Sequence, residues 1–167
     1  MSEKETLFSS KLKYIGVFQF QDFYQFCYDW LVEEFGLLMV ENKYVEKIIG
    51  DSKNIDIEWS GTRKITDYFK FEVKVKFKIL GLKKVEVKRE GVQEKMNEGN
   101  IEIKIASILI RDWQGKFEEN AFQKFFRAIY EKWIIPSRID EFETKLVGDS
   151  NEFLEQAKSY LDLVGKR

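Results

Sequence analysis

The chain has no histidine, one cysteine and one proline in 167 residues, and each shortage closes off a class of chemistry. Without histidine there can be no Ser-His-Asp or Cys-His nucleophile system, no His-ligated zinc or haem, and no imidazole switch near neutral pH. A lone Cys27 excludes an internal disulfide, a CxxC redox pair and a Cys-rich metal cluster. Ten glycines beside that single proline exclude collagen-like and Pro/Gly low-complexity chains. No stretch approaches the roughly 18–20 apolar residues of a membrane helix; the best runs are Leu37 to Val40 and Ile105 to Ile110. The start, Met1-Ser2-Glu3-Lys4-Glu5, lacks the basic and apolar pattern of a signal peptide. The expectation is a cytoplasmic protein with no membrane partner, no cofactor, no metal and no assigned catalytic residue. Carboxylate, lysine or tyrosine chemistry is the enzymatic route left open, and the non-enzymatic reading leads.

What the chain does have is 44% hydrophobic and 16% aromatic residues, enough for a core, at a length suited to one domain spanning residues 11–167 after a frayed polar start over 1–10. Charged residues reach 34%, a content compatible with a thermophilic source or a Lys-favouring AT-rich genome. Charge is also segregated. Residues 1–60 hold 6 Lys against 11 acids, a net of −5, and residues 61–90 hold 10 Lys plus Arg against 4 acids, a net of +6.

Hydrophobic period divides the chain. A short strand is predicted from Leu12 to about Phe20, then a helix over Asp22–Phe35 with Phe23, Cys27, Trp30 and Leu31 on one face, Asp22 as cap and Gly36 as stop. Strands follow over 37–49 and 55–59. From Phe69 to Ile79 apolar residues alternate with Lys70, Glu72, Lys74, Lys76 and Lys78, the pattern of a strand with one dry and one wet face. A turn at Gly81, a continuation through Val87, a hairpin tip over 90–99 and a strand from Ile101 to Ile110 complete an antiparallel meander. The period then returns to 3.6, with Phe122, Phe125, Phe126, Ile129, Tyr130 and Trp133 on the core face of a helix ended by Pro136. Capping patterns at Ser137/Asp140 and Asp149/Glu152, with Gly148 between, predict two further helices, the last with Phe153, Leu154, Ala157, Tyr160, Leu161 and Val164 inward. The fold class is α+β: a meander of five to six strands against an N-terminal helix and two to three C-terminal helices.

Four groups of residues are candidates for function. Tyr24, Phe26 and Tyr28 lie outside the first face of the N-terminal helix, so that helix is either sandwiched on two sides or used at an interface, for which Phe26 and Tyr28 are the candidates. Asp22, Asp29 and Glu33, with Glu34, form an acidic stripe; carboxylates so spaced can hold a cation or a basic partner, and more often make a solvated face. Lys70, Lys74, Lys76, Lys78, Lys84 and Lys88 form a basic face able to bind phosphates, RNA or an acidic partner, although charged sheet faces commonly serve solubility and the aromatic residues point the other way. Trp59, Arg63, Asp67, Tyr68, Arg111, Asp112 and Trp113 sit near predicted strand ends, where Arg–Asp pairs beside rings can line a polar pocket or tie loops together. Cys27 is read as an inert buried thiol.

This order of elements, over about residues 12–135, is similar to the helix-grip arrangement of START-like and polyketide-cyclase-like proteins. No motif accompanies the likeness. It implies a curved sheet gripping a helix around an apolar pocket, and a fold likeness confers no function. Three functions are therefore expected in order: a binding or assembly protein whose partner is another protein or its own copies, a pocket for an apolar or aromatic small molecule, and a nucleic-acid or polyanion binder through the lysine face.

Overall fold

A computed structural model describes residues 3–115, 121–129, 132 and 136–165. Five strands, β1 (Glu3–Phe18), β2 (Leu38–Ile49), β3 (Ser52–Lys64), β4 (Phe69–Arg89) and β5 (Val92–Arg111), pair antiparallel in the order β1-β5-β4-β3-β2. Helix α1 (Phe20–Glu33) follows β1, and α2 (Ala121–Ile129) and α3 (Pro136–Gly165) follow β5. The architecture is α+β, as the periodicity predicts.

The alternation of β4 decides the inside. Phe69, Phe71, Val73, Val75, Phe77 and Ile79 are buried on the inner face, where β5 adds Ile101, Ile103, Ile105 and Leu109 at matching register. Against this face pack Phe23, Cys27 and Leu31 of α1 and Leu146, Phe153, Ala157 and Leu161 of α3, in one apolar cluster. At roughly 1.5–3 kcal/mol per fully buried large apolar side chain, this cluster is the principal stabilising element. Burial raises the pKa of the Cys27 thiol well above its ordinary value, in keeping with an inert buried group.

Several local expectations are corrected. Residues 3–10 are not frayed but form the first part of β1, because β5 supplies a continuous ladder of partners from Glu3↔Arg111 onward. Gly81 does not end a strand; its φ of +65° makes a bulge, with the register shifting between Leu80 and Lys83, and β4 runs on to a tight turn at Glu90-Gly91. The cap of α1 is Gln19 rather than Asp22, and the Phe20 N–H donates instead to Asn97 Oδ1 at 3.0 Å, while Asp22 sits in the first turn where the helix dipole favours an acid. Gly36, at φ +76°, ends the helix as expected.

The two last helices are one. α3 runs through Gly148, whose cost of about 1 kcal/mol in a helix is small beside the burial of Leu146 and Phe153 on either side. Pro136 opens it in the first turn, where its missing N–H costs no intrahelical hydrogen bond. α2 is turned over relative to its predicted orientation: Arg127 is buried, whereas Phe122, Phe125 and Phe126 are exposed. The reason is an ionic and hydrogen-bonded anchor, for Arg127 Nε donates to Tyr68 Oη at 3.0 Å and its guanidinium lies 3.1 Å from Glu3 and 3.7 Å from Asp112. Tyr130, Glu131 and Trp133, and the Ser137 side chain, lie outside the described residues.

Candidate binding edge

The surplus rings of α1 are engaged within the chain. Phe26 stacks on Tyr160 of α3 with ring centres 4.6 Å apart, Trp30 meets Phe153 at 5.7 Å, and Tyr24 and Tyr28 meet the edge of Trp59 at 5.1 and 5.7 Å. α1 packs on the inner face of the sheet with α3 beside it. Phe26 and Tyr28 are half-buried by these partners. The acidic stripe of Asp22, Asp29, Glu33 and Glu34 lies exposed, with Asp29 accepting from Gln25 at 2.8 Å. Among the described residues no three His, Cys, Asp or Glu side chains gather as a cation would need.

The six lysines do not share a face. Lys70, Lys74, Lys76 and Lys78 stand on the outer face of β4, interleaved with acids: Lys74 lies 3.8 Å from Glu72, Lys76 3.8 Å from Glu58, and Lys104 of β5 3.5 Å from Glu102. Lys70 sits over the Trp113 ring at 5.7 Å. The Gly81 bulge carries Lys84 round to the cleft at the start of α1, and Lys88 stands at the far hairpin tip. The outer face is thus laced with ion pairs but keeps an excess of lysine, since Lys4 and Lys74 share Glu72 and Lys13 and Lys104 share Glu102.

Of the Trp/Arg/Asp group, Trp59 stands apart at mid-sheet and the others gather at one end of it, engaged in separate contacts. Trp59 is buried beneath α1, and Arg63 Nη1 donates to the Phe35 carbonyl at 3.1 Å, holding the end of that helix. At the same end of the sheet as Arg63, Tyr68 and Asp112 receive Arg127, Arg111 pairs with Glu5 at 3.0 Å, Trp113 Nε1 donates to the Thr66 carbonyl at 2.9 Å, and Asp67 is exposed. These residues tie elements together and do not converge on one ligand. The interior between the sheet, α1 and α3 is occupied by side chains, with Phe23, Leu31, Phe153 and Leu161 at most 1% exposed. An apolar pocket of the kind the helix-grip likeness implies would have to lie in that space. The clefts open at the surface instead. One of about 460 Å³ at the start of α1 is lined by Phe20, Tyr44, Glu46, Lys53, Lys84 and Met96 among others.

The strand over 37–49 is found as expected, as β2; what sequence reasoning missed is that it is an open edge. It ends the sheet, and no described strand pairs with its outer side. Nearly every residue from Leu38 to Ile49 is exposed, including Leu38 at 75%, Val40 at 54%, Val45 at 48% and Ile48 at 76%. The signal was present: the segment carries apolar residues on both faces of a strand, a pattern otherwise found where both faces are covered. Pairing with β3 sets the two faces. Leu38, Val40, Lys43, Val45, Lys47 and Ile49 share the outer face, and Met39, Glu41, Tyr44, Glu46 and Ile48 the inner one, with Asn42 the extra residue of a bulge. Asn42 Nδ2 donates to Ser60 Oγ on the outer face at 2.9 Å.

The inner side of β2 is held rigid by polar contacts. Glu41 accepts from Trp59 Nε1 at 2.9 Å and from Tyr24 Oη, tying edge strand, core and α1 together. Burial, then the hydrogen bond to Glu41, pushes the Tyr24 hydroxyl up to about 12. Tyr44 Oη donates to Glu46 at 2.8 Å, which raises the Tyr44 pKa together with burial and lowers that of Glu46. Lys53 Nζ reaches the same Glu46 oxygen at 3.3 Å. The strand is therefore pre-organised, which lowers the ordering cost of any added strand. No described helix is long and apolar enough to cross a membrane. No protein-family model, curated protein or solved structure matches the chain.

Proposed function

We propose that this is a binding or assembly protein acting by protein–protein contact, and that its contact surface is the β2 edge, which takes up an extended segment of another polypeptide by strand addition. The single observation that carries the reading is a twelve-residue edge strand, paired on one side only among the described residues, whose apolar residues stand in water. Folded proteins ordinarily blunt such an edge by shortening it, covering it, or placing prolines and inward charges on it. β2 carries a bulge at Asn42, inner-face Glu41 and Glu46 and outer-face Lys43 and Lys47, but it has no proline, and Leu38, Val40, Val45, Ile48 and Ile49 are all more than one-third exposed. Strand addition uses main-chain hydrogen bonds for affinity and alternate side chains for selectivity, and both are on offer along this edge.

Amide hydrogen exchange tests the reading with two probes: the protein's own concentration, and a twelve-residue peptide selected from a displayed random library. Slowed exchange confined to residues 38–49 with either probe is the expected result. Unchanged exchange there with both, or protection centred on Phe122 and Phe126 of α2, overturns it.

A further inference from the structure

We infer that the cleft between α1 and the inner face of β2 binds an organic ammonium ion, which meets the rings of Phe20, Tyr24 and Tyr44 and the carboxylate of Glu41. The cleft, about 510 Å³ and open at the surface, is lined by these four residues with Gln21 and Gln25, so its walls are rings, neutral amides and one anion, with no cation. Local structure gathers them. Phe20 and Tyr24 stand one turn apart on α1, as do Gln21 and Gln25. Glu41 and Tyr44, three apart, would point to opposite faces of a regular strand, and the bulge at Asn42 brings both to the inner one.

The rings are set at steep angles: Tyr24 and Tyr44 have centres 6.2 Å apart at 84°, and Phe20 and Tyr24 6.0 Å apart at 51°. Such a set of rings can surround a cation whose methyl or methylene groups it contacts, since the negative ring faces replace part of the ion's hydration. Glu41 supplies the opposite charge. Its Oε2 accepts from both Trp59 Nε1, at 2.9 Å, and Tyr24 Oη, two neutral donors, while Oε1 has no hydrogen bond and the carboxylate no lysine or arginine partner among the described residues. Glu46, further along the same face, is already paired with Lys53 at 3.3 Å. Burial, and after it the neighbouring carboxylates, raises the Tyr24 and Tyr44 hydroxyls, so both rings stay neutral beside the anion at ordinary pH. A metal ion would need more oxygen ligands than one carboxylate, and no described trio of acids gathers here, so the rings favour a weakly hydrated organic cation. The adjoining cleft at the start of α1, lined by Lys53, Lys84 and Lys95 beside Asp22 and Glu46, has no such preference. The ammonium site uses none of the free main-chain groups of β2 and is independent of what pairs with them.

The test titrates the protein with choline and, as control, with the uncharged alcohol in which carbon replaces its nitrogen, read by the Trp59 indole N–H and the backbone amides of residues 20–25 and 41–44 in proton–nitrogen correlation spectra. Saturable shifts confined to these groups, about tenfold weaker or more with the alcohol, are the expected result. Glu41→Gln keeps an oxygen for Trp59 and Tyr24 and should weaken choline about tenfold. Tyr44→Leu keeps an apolar wall at an exposed position without a ring and should weaken it similarly, with the spectrum of the rest of the fold unchanged. Tighter binding of an N-acetylated trimethyllysine amide than of choline would support the site with a polypeptide side chain as the source of the cation, and the reverse would support it with a free amine. Equal binding of the alcohol, unchanged affinity in both variants, or no saturable shift with choline overturns the inference.

Discussion

The two edges of the sheet are finished in opposite ways. β1 has α3 laid along it, and its first residues are anchored by Glu3 to Arg127 and by Glu5 to Arg111. β2 has the N-terminal half of α1 above part of its inner face, through Tyr24 and Glu41, and on its outer side nothing among the described residues. An edge that only needs to be kept from pairing can be covered from within the chain. An edge left long, apolar and rigid is a surface whose cover comes from elsewhere. The contrast predicts that damage on the β1 side unfolds the protein, whereas damage on the β2 edge itself separates molecules and leaves each one folded.

The largest effects should come from the anchors behind each edge. Phe153→Ala removes the α3 ring that meets Trp30 over the inner face, and Trp59→Ala removes the ring that meets Tyr24, Tyr28 and Phe77 and donates to Glu41. Each should cost about 3–5 kcal/mol in urea unfolding. Their exchange signatures should differ: Phe153→Ala frees amides along β1 and Trp59→Ala frees those of β2. Equal loss at both edges with either variant would show that the edges are not independently supported.

Next in size is the polar clamp that fixes α3 on β5, the strand next to β1. Ser150 Oγ donates to the Leu146 carbonyl at 2.6 Å and lies 2.5 Å from Ser107 Oγ, all of it buried. Ser150→Ala strands the Ser107 hydroxyl without its partner, at about 1–3 kcal/mol, and adding Ser107→Ala should recover part of the loss because both polar groups are then gone. A double variant less stable than the single one would contradict this account.

What was legible in the sequence was the periodic part. The eleven-position alternation of β4 and the cluster of Phe153, Leu154, Ala157 and Leu161 read directly into the core, because period two and period 3.6 are local properties. Features set by distant partners were not legible. β1 begins at Glu3 only because β5 is there to pair with it; α2 turns its phenylalanines outward only because Tyr68, Asp112 and Glu3 wait to receive Arg127; and α3 crosses Gly148 because burial outweighs propensity. The candidate site shows the same division. Lysine spacing gave the outer face of β4 correctly, but the bulge that removes Lys84 from it depends on φ at Gly81. The β2 edge escaped notice because which strand ends a sheet is a matter of topology, not composition.

A pH effect isolates the tie between α1 and the free edge. The Tyr24 hydroxyl, raised from 10.0 to about 12 in the fold, keeps its proton where an unfolded tyrosine loses it. Its contribution to stability is therefore complete below pH 10 and is lost as pH climbs toward 12. Tyr24→Phe should flatten that decline, and spectrophotometric titration should show one fewer late-ionising tyrosine. The site is largely solvated, so the effect should rank below the serine clamp.

The smallest expected effect lies on the outer face, and it separates the lysines from any polyanion role. Lys76 pairs with Glu58 across β4 and β3 at 3.8 Å in the open, and Lys4 with the half-buried Glu72 across the β1 side at 3.6 Å. Each pair is worth about 0–1 kcal/mol and should weaken with salt, so Lys76→Ala should shift unfolding by no more than a few tenths. Acids set among these lysines, Glu72 between Lys4 and Lys74 and Glu102 between Lys13 and Lys104, interrupt the path a phosphate backbone would follow, and if the edge is the contact surface, affinity for a single-stranded oligonucleotide should stay weak at physiological salt. Tight binding with a steep salt slope, lost in Lys74→Ala and Lys76→Ala together, would mean that the partner meets the flat of the sheet rather than its edge.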